Sequence, residues 1–278
     1  MSTGAPRNSV VEEAGPTGLQ DELFFVGMWT SGGFYLVMIV AMLFSMMVYT
    51  TPLAMWEKIT TPEIMYATRL SLISCTLTAL LSLWVAVPLG YLMSRVKFRG
   101  KQLCDAILDV PIVLPPLVIG LGLLILFQTP PGKMVERVVP VTFAIPSVIL
   151  AQFMVACAFA VRTMRVTFDQ INPRCEQVAL TLGCTRSQAF FHVVLPEARR
   201  GMLSAGTLAW ARALGEFGPI LIFSGATRMR TEVLPTSVFL EMSVGDIKAA
   251  VAVSLIMILA AALVLVLARL FGLKQVVA

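Results

Sequence analysis

The sequence predicts an all-α membrane protein that crosses the bilayer with six transmembrane helices. Of its 278 residues, 58% are hydrophobic and only 13% are charged, and the mean hydropathy is +0.85. A soluble domain of this composition would lack the polar side chains needed to cover its surface. The apolar residues also gather in runs close to the length of about 17–25 residues that a helix needs to cross the hydrocarbon core. We assign six spans, at residues 34–49, 70–93, 107–127, 141–161, 203–223 and 249–271.

The segment before the first span is polar and contains Glu12, Glu13, Asp21 and Glu22. A secretory signal peptide would begin with basic residues followed by an early apolar core, which this segment does not do. We therefore expect the first span to remain as an anchor. Residues 1–32 are predicted to form a disordered cytoplasmic tail, and residues 33–278 to form one transmembrane domain.

The positions of lysine and arginine predict the orientation, because cytoplasmic loops carry an excess of both. The loop after the second span holds Arg95, Lys97, Arg99 and Lys101, and the loop after the fourth span is also rich in arginine. Both termini are therefore predicted to be cytoplasmic. The net charge of +5 follows from this topology, so it does not indicate nucleic-acid binding.

No catalytic, metal-binding or cofactor-binding residues are predicted. The five cysteines fall in spans or cytoplasmic loops, and their spacing fits neither a disulfide framework nor a zinc site. His192 is the only histidine and has no metal-ligand neighbours in the sequence. These features argue against a membrane enzyme.

The cytoplasmic loop at residues 162–200 carries its own helix signals. Asn172 and Pro173 predict a helix start, and Gly183 is placed for a left-handed cap at its end. Thr185 and Gln188 have the spacing of a capping box, which predicts a second short helix. Leu195-Pro196 is expected to end that helix and lead into the fifth span.

The first of these helices has a small-residue face at Ala179 and Gly183, beside an apolar stripe at Val178 and Leu182. Two interpretations remain open from these residues. The helix either rests on lipid headgroups or docks into a groove on a partner protein.

The residues at 176–183, followed after nine residues by Val193 to Pro196, resemble the EAA motif of ABC importer permeases. That motif reads Glu-Ala-Ala, three residues, Gly, nine residues, Ile-x-Leu-Pro, and many members have a further Glu before it. Gln177 and Val178 replace the Glu and the first Ala of the motif. The resemblance spans about residues 65–270, and its coupling-loop residues here are Glu176, Gln177, Val178, Ala179, Leu182, Gly183, Leu195 and Pro196.

This resemblance implies the type I ABC importer permease fold, in a bacterial or archaeal cell membrane. It also implies three protein partners: a cytoplasmic ATP-binding subunit that receives the coupling helix, an extracytoplasmic solute-binding protein, and a second permease subunit, expected to be identical. The chain itself lacks a G-x-x-x-x-G-K-[ST] phosphate loop, so ATP hydrolysis is expected from the separate subunit.

The fifth predicted span contains two charges, Arg212 and Glu216, four residues apart and hence on one helix face. Charges at this depth are costly and face the interior of a bundle or a cavity. The pair is interpreted either as a structural ion pair or as part of a gate. Gly120 and Gly122, which follow Pro115-Pro116, are interpreted as sites of close helix packing.

The run from Arg212 to Gly218 resembles the matching span of molybdate, tungstate and sulfate permeases. Leu234-Pro235 and Gly245-Asp246 follow it as they do in that subgroup, whereas Pro219 stands where alanine is usual. The resemblance implies a small oxyanion substrate. The outer Arg228 and Arg230 are interpreted either as contacts for the binding protein or as interfacial anchors.

Two other transport functions remain as alternatives. One is an ABC permease for a different small solute. The other is a secondary transporter, which would need coupling carboxylates near the middle of the membrane. Glu216 alone meets that requirement clearly.

Overall fold

The computed structural model describes residues 19–50 and 52–273, which are almost entirely helical and contain no strand. The all-α prediction is therefore confirmed. The chain divides into two compact units, of which the first ends at Tyr49 and, in its described part, contains helix α1 (Leu19–Tyr49). The second unit contains α2 (Pro52–Ile59), α3 (Pro62–Arg95), α4 (Lys101–Val113), α5 (Pro116–Gln128), α6 (Pro130–Val138), α7 (Ile145–Gln170), α8 (Pro173–Thr181), α9 (Arg186–Ala189), a π-helical segment (Phe190–Val194), α10 (Leu195–Glu197), α11 (Arg199–Leu214), α12 (Gly218–Phe223), α13 (Leu234–Val244) and α14 (Ile247–Leu273).

Helix α1 begins at Leu19, well before the predicted start at residue 34. Two polar residues just before residue 34, Thr30 and Ser31, fit inside this helix because their hydroxyls donate hydrogen bonds to the carbonyls of Gly27 and Met28. Residues 19–32 are thus helical, and the disordered tail predicted there is wrong. The same prediction for residues 1–18 falls outside the described part of the chain.

In the described residues, four single helices are long and apolar enough to cross a membrane: α1, α3, α7 and α14. The third predicted span is divided into α4 and α5, which meet at an angle of 111°. Leu114 and Pro115 each precede a proline, which moves both out of the helical region. With this bent pair counted as one, the described spans number up to five, against the six predicted.

The fifth predicted span, at residues 203–223, is also interrupted. Helix α11 ends at Leu214 and α12 begins at Gly218, so neither piece has the length of a full span. Pro219 lies in the first turn of α12, where its missing N–H costs no intrahelical hydrogen bond.

The core of the second unit is built on the contact between α3 and α7, with α11 packed against both. The buried face of α3 is small and polar, and includes Ser74, Cys75, Thr78 and Gly90. Such residues allow close approach of helices in lipid, where the hydrophobic effect does not drive association. A Cβ atom on Gly90 would lie 2.8 Å from the Cβ of Met164 in α7.

Two motifs of the predicted oxyanion subgroup have structural roles as helix caps. Pro235 lies in the first turn of α13, and Gly245 ends that helix with a φ of 87°. Asp246 then accepts a hydrogen bond from the amide of Ala249 at 3.0 Å and contacts Lys58 Nζ at 2.5 Å. The hydrogen bond from Lys58 lowers the pKa of the Asp246 carboxyl.

We predict that Gly120→Ala destabilises the protein by about 1–3 kcal/mol, the usual cost of overpacking. A Cβ at residue 120 would lie 2.7 Å from the Cα of Pro219, where backbone has little room to move. Gly122→Ala is the matched control, since nothing lies within 4 Å of a Cβ there. Thermal unfolding in detergent measures both variants, and equal stabilities would contradict the close α5–α12 contact.

Candidate coupling loop and membrane ion pair

Helix α8 has the predicted start and end. The Asn172 side chain accepts a hydrogen bond from the amide of Arg174 at 3.0 Å, and Pro173 opens the helix. Gly183 has a φ of 90°, and the amide of Cys184 returns to the carbonyl of Ala179 at 3.1 Å. This is the glycine-capped helix end that the sequence predicts.

The second short helix opens as predicted but does not end as predicted. Thr185 and Gln188 form a capping box, with hydrogen bonds of 3.3 and 2.8 Å. The chain then widens into the π-helical segment and continues through Leu195 and Pro196. Pro196 lacks an N–H and crowds the preceding turn, which favours the wider hydrogen-bonding pattern before it. The loop is also shorter than residues 162–200, because α7 continues to Gln170.

The outward-facing residues of α8 differ in part from those predicted. Val178 and Leu182 are exposed, Leu182 to 79% of its surface, and Gln177 is exposed beside them. Ala179 is only 7% exposed and packs inward. The predicted small-residue face is therefore wrong at Ala179, whereas Gly183 has open space beside it. We call Gln177, Val178, Leu182 and Gly183 the coupling surface.

Glu176 points in the opposite direction, toward the C-terminal end of α3. Its Oε1 accepts a hydrogen bond from Tyr91 Oη at 2.5 Å, and its Oε2 lies 3.8 Å from Arg95 Nε. Arg95 also donates from Nη2 to the carbonyl of Ile171 at 2.6 Å. The first residue of the motif thus fastens α8 to α3.

Aromatic side chains strengthen the same junction. The ring of Tyr91 packs edge-on against Phe168 of α7 and Phe190 of the π-helical segment, at centroid distances of 5.6 and 4.7 Å. A cavity of about 660 Å³ opens beside them, lined in part by Arg95 and Arg186. Sequence reasoning missed Tyr91 and Arg95, because no local pattern marks a contact with α8.

The other two residues of the predicted loop motif lie away from the coupling surface. Leu195 is half-buried and lines an apolar cavity with Phe190 and Phe191, while Pro196 is exposed. Both residues lie in α10, just before α11, and form part of the turn between the two helices.

Arg212 and Glu216 form an ion pair at the break between α11 and α12. Their closest atoms, Nη2 and Oε2, are 3.9 Å apart, which is longer than a hydrogen bond. The Arg212 side chain is 38% exposed and that of Glu216 only 2%. Arg212 Nε and Glu216 Oε2 are both buried without a hydrogen-bond partner among the described residues. The Arg212 guanidinium also lies 5.2 Å from the ring centre of Phe159 in α7.

Two further carboxylates are buried in and just before helix α13. Glu241 pairs with Arg228 at 2.8 Å, so this arginine already has a partner within the chain. Glu232 is fully buried and accepts a hydrogen bond from Ser237 Oγ at 2.8 Å. The sequence did not predict either role, since both residues lie in a short segment without periodicity.

We predict that Glu216→Gln lowers stability by about 1–3 kcal/mol, the cost of an unsatisfied polar group, because it leaves the partly exposed Arg212 without a counter-charge. Adding Arg212→Gln should restore part of the loss, with a coupling energy near 1 kcal/mol at this separation and exposure. A double-mutant cycle of thermal stability in detergent measures it.

A comparison pair is Arg165 and Asp169, which has the same spacing and the same 3.9 Å separation but a carboxylate that is 53% exposed. Arg165 also pairs with Asp105, and Asp169 accepts a hydrogen bond from Ser94 Oγ, so the cycle at this pair is made with Asp105 and Ser94 unchanged. Its coupling energy should be smaller because water screens it. Purely additive effects at residues 212 and 216 would rule out the pairing.

Comparison with known proteins assigns the chain to a family. Residues 86–274 match the family of binding-protein-dependent transport system inner membrane components. The sulfate transport system permease protein CysT of Escherichia coli K12 is 32% identical over 213 residues, 76% of each chain. The molybdate/tungstate permease WtpB of Pyrococcus abyssi is 39% identical over 161 residues, 58% of this chain and 61% of that one. The molybdenum permease ModB of Mycobacterium tuberculosis is 34% identical over 212 residues, 75% of this chain and 80% of that one.

The fold agrees with this match. A chain in the crystal structure of a bacterial alginate ABC transporter, solved with an alginate-bound periplasmic protein, aligns with a TM-score of 0.75. The alignment covers 92% of this chain and 95% of that chain at 15% identity, so it supports the fold alone. The apolar spans, the helical loop and these matches lead to one assignment: the chain belongs to the family of inner membrane components of binding-protein-dependent transport systems, the permease subunits of ABC importers.

Proposed function

We propose that this chain forms the translocation path for a small oxyanion, namely sulfate, molybdate or tungstate, in an ATP-driven importer. The observation that carries the proposal is 32–39% identity to permeases named for these anions. The run from Arg212 to Gly218 also supports it, because this run resembles the matching span of molybdate, tungstate and sulfate permeases. An extracytoplasmic binding protein delivers the anion, and a cytoplasmic ATPase supplies the energy.

The ATPase docks on the coupling surface. An aliphatic side chain as exposed as Leu182 is unfavourable in water, and its neighbour Val178 extends the apolar area. A helix with i and i+4 apolar residues suits a groove on a partner. Because Glu176 fastens α8 to Tyr91 and Arg95, a movement of the docked ATPase is passed to α3.

The remaining proposed contacts complete the assembly. A second, identical permease subunit and membrane lipid cover the apolar face of α3, on which Ile73, Leu80 and Trp84 are exposed. Both termini lie in the cytoplasm. On the opposite side, the exposed Arg230 is the better candidate for contact with the binding protein, since Arg228 is paired with Glu241.

The ion pair of Arg212 and Glu216 stabilises the closed position of a gate at the α11–α12 break. Three residues, Gly215 to Phe217, separate the two helices, so the break can act as a hinge. A loose pair of 3.9 Å is suited to a contact that forms and opens during each cycle.

We predict that the purified chain alone hydrolyses no ATP. Hydrolysis should appear only after reconstitution with an ATP-binding subunit, and a sulfate- or molybdate-loaded binding protein should stimulate it. Phosphate release and uptake of radiolabelled sulfate and molybdate into liposomes measure the two activities. Robust hydrolysis by the isolated chain, or uptake of neither anion by the complete importer, would refute the proposed function.

We also predict that Gly183→Trp prevents assembly with the ATPase while leaving membrane insertion intact. The left-handed φ of 90° is unfavourable for tryptophan, and the ring would project from the coupling surface. Co-purification of the ATPase with the variant measures docking.

Gly100→Trp is the matched control, because Gly100 has a φ of 88° and equally open space in another cytoplasmic loop. It should impose similar strain and retain the ATPase. Equal assembly of both variants would show that ATPase docking does not depend on the coupling surface. Equal loss in both would show that backbone strain, and not a blocked surface, prevents assembly, which would also contradict the prediction.

A further inference from the structure

Arg212 lies within the thickness of the membrane. It is about 20 Å along α11 from the start of that helix, at 1.5 Å per residue, and the hydrocarbon layer is about 30 Å thick. Its guanidinium lies over Phe159, which is near the middle of the long span α7. Two different helices therefore place this cation at membrane depth.

The exposure of Arg212 decides which surroundings it faces. Its side chain is 38% exposed, although Glu216 behind it is almost completely buried. A charged guanidinium inside the bilayer does not face lipid chains, because the desolvation cost is large. The exposed side of Arg212 must therefore face water in a cavity or another protein subunit.

The guanidinium also retains donors for a further partner. Its contacts among the described residues are the 3.9 Å ion pair with Glu216 and the ring of Phe159, neither of which is a hydrogen bond. Guanidinium groups carry five N–H donors in a planar fork, which matches two oxygens of one anion. Glu216 offsets the charge when no anion is present, which lowers the cost of keeping a cation at this depth.

We propose that Arg212 contacts the oxyanion as it passes through the permease, by hydrogen bonds from the guanidinium. This inference rests on the proposed oxyanion transport and adds the residue that receives the anion inside the membrane. One arginine, balanced by Glu216, binds an anion firmly enough to replace part of its hydration and weakly enough to release it.

The first experiment compares Arg212→Gln and Arg212→Lys with the unchanged chain in the complete importer in liposomes, using radiolabelled sulfate and molybdate. Arg212→Gln should lower the initial uptake rate about 10- to 100-fold, the range for a lost hydrogen bond to a charged group. The uptake rate of Arg212→Lys should lie between the rates of Arg212→Gln and the unchanged chain. Arg69→Gln is the control, because Arg69 is an exposed arginine near the start of α3. Its uptake rate should stay within about twofold of the rate of the unchanged chain.

The second experiment separates charge from packing. Arg212→Cys is treated with 2-aminoethyl methanethiosulfonate, which restores a positive charge, or with the negatively charged 2-sulfonatoethyl reagent. Only the positive reagent should restore uptake, at least severalfold. Molybdate should slow the reaction of this reagent with the thiol introduced at position 212. The unchanged chain, treated in parallel, corrects for the native cysteines.

The outcomes distinguish this inference from the proposed function. If the unchanged importer takes up neither anion, the proposed function fails. If it takes up anion and Arg212→Gln does so equally well, the inference alone fails. Rescue by both reagents alike, or loss of assembly in all three Arg212 variants, would show that Arg212 has a packing role and would also overturn the inference.

Discussion

The close contact between α3 and α7 supports the rest of the second unit. Lipid does not drive apolar helices together, so their association depends on small residues and on polar groups that find partners. Gly90 meets Met164 on this contact, and Thr78 donates a hydrogen bond to the buried Gln152 at 3.2 Å. Helix α11 packs on the pair from one side, and α5 and α12 reach α7 from another.

The same helix pair holds the coupling loop in position. At the C-terminal end of both helices, Tyr91 of α3 contacts Phe168 of α7, Phe190 of the π-helical segment and Glu176 of α8. The loop is therefore attached to the rigid core by aromatic packing and by charge-assisted hydrogen bonds, which are stronger than neutral ones. The exposed Leu182 is therefore joined through α8 to this junction with α3 and α7.

The break between α11 and α12 lies beside a charged pair. At the break between α11 and α12, backbone groups lose their helical partners, and irregular backbone at membrane depth is tolerated only against protein or a watery cavity. The ion pair of Arg212 and Glu216 lies at this break, and Gly120 packs against Pro219 beside it. Pro219, which stands where alanine is usual in the oxyanion subgroup, is therefore part of a packing contact.

The sequence alone determined the features that depend on near neighbours. Apolar runs predicted a helical membrane protein, and Asn172, Gly183 and the Thr185 capping box predicted helix ends that the structure confirms. Tertiary structure decided which face of α8 is free: Ala179 is buried, and Glu176 turns inward to Tyr91, which is 85 residues away in sequence. It also decided the burial of Glu232. Caps and hydropathy act over a few residues, whereas exposure and pairing depend on helices brought together from distant parts of the chain.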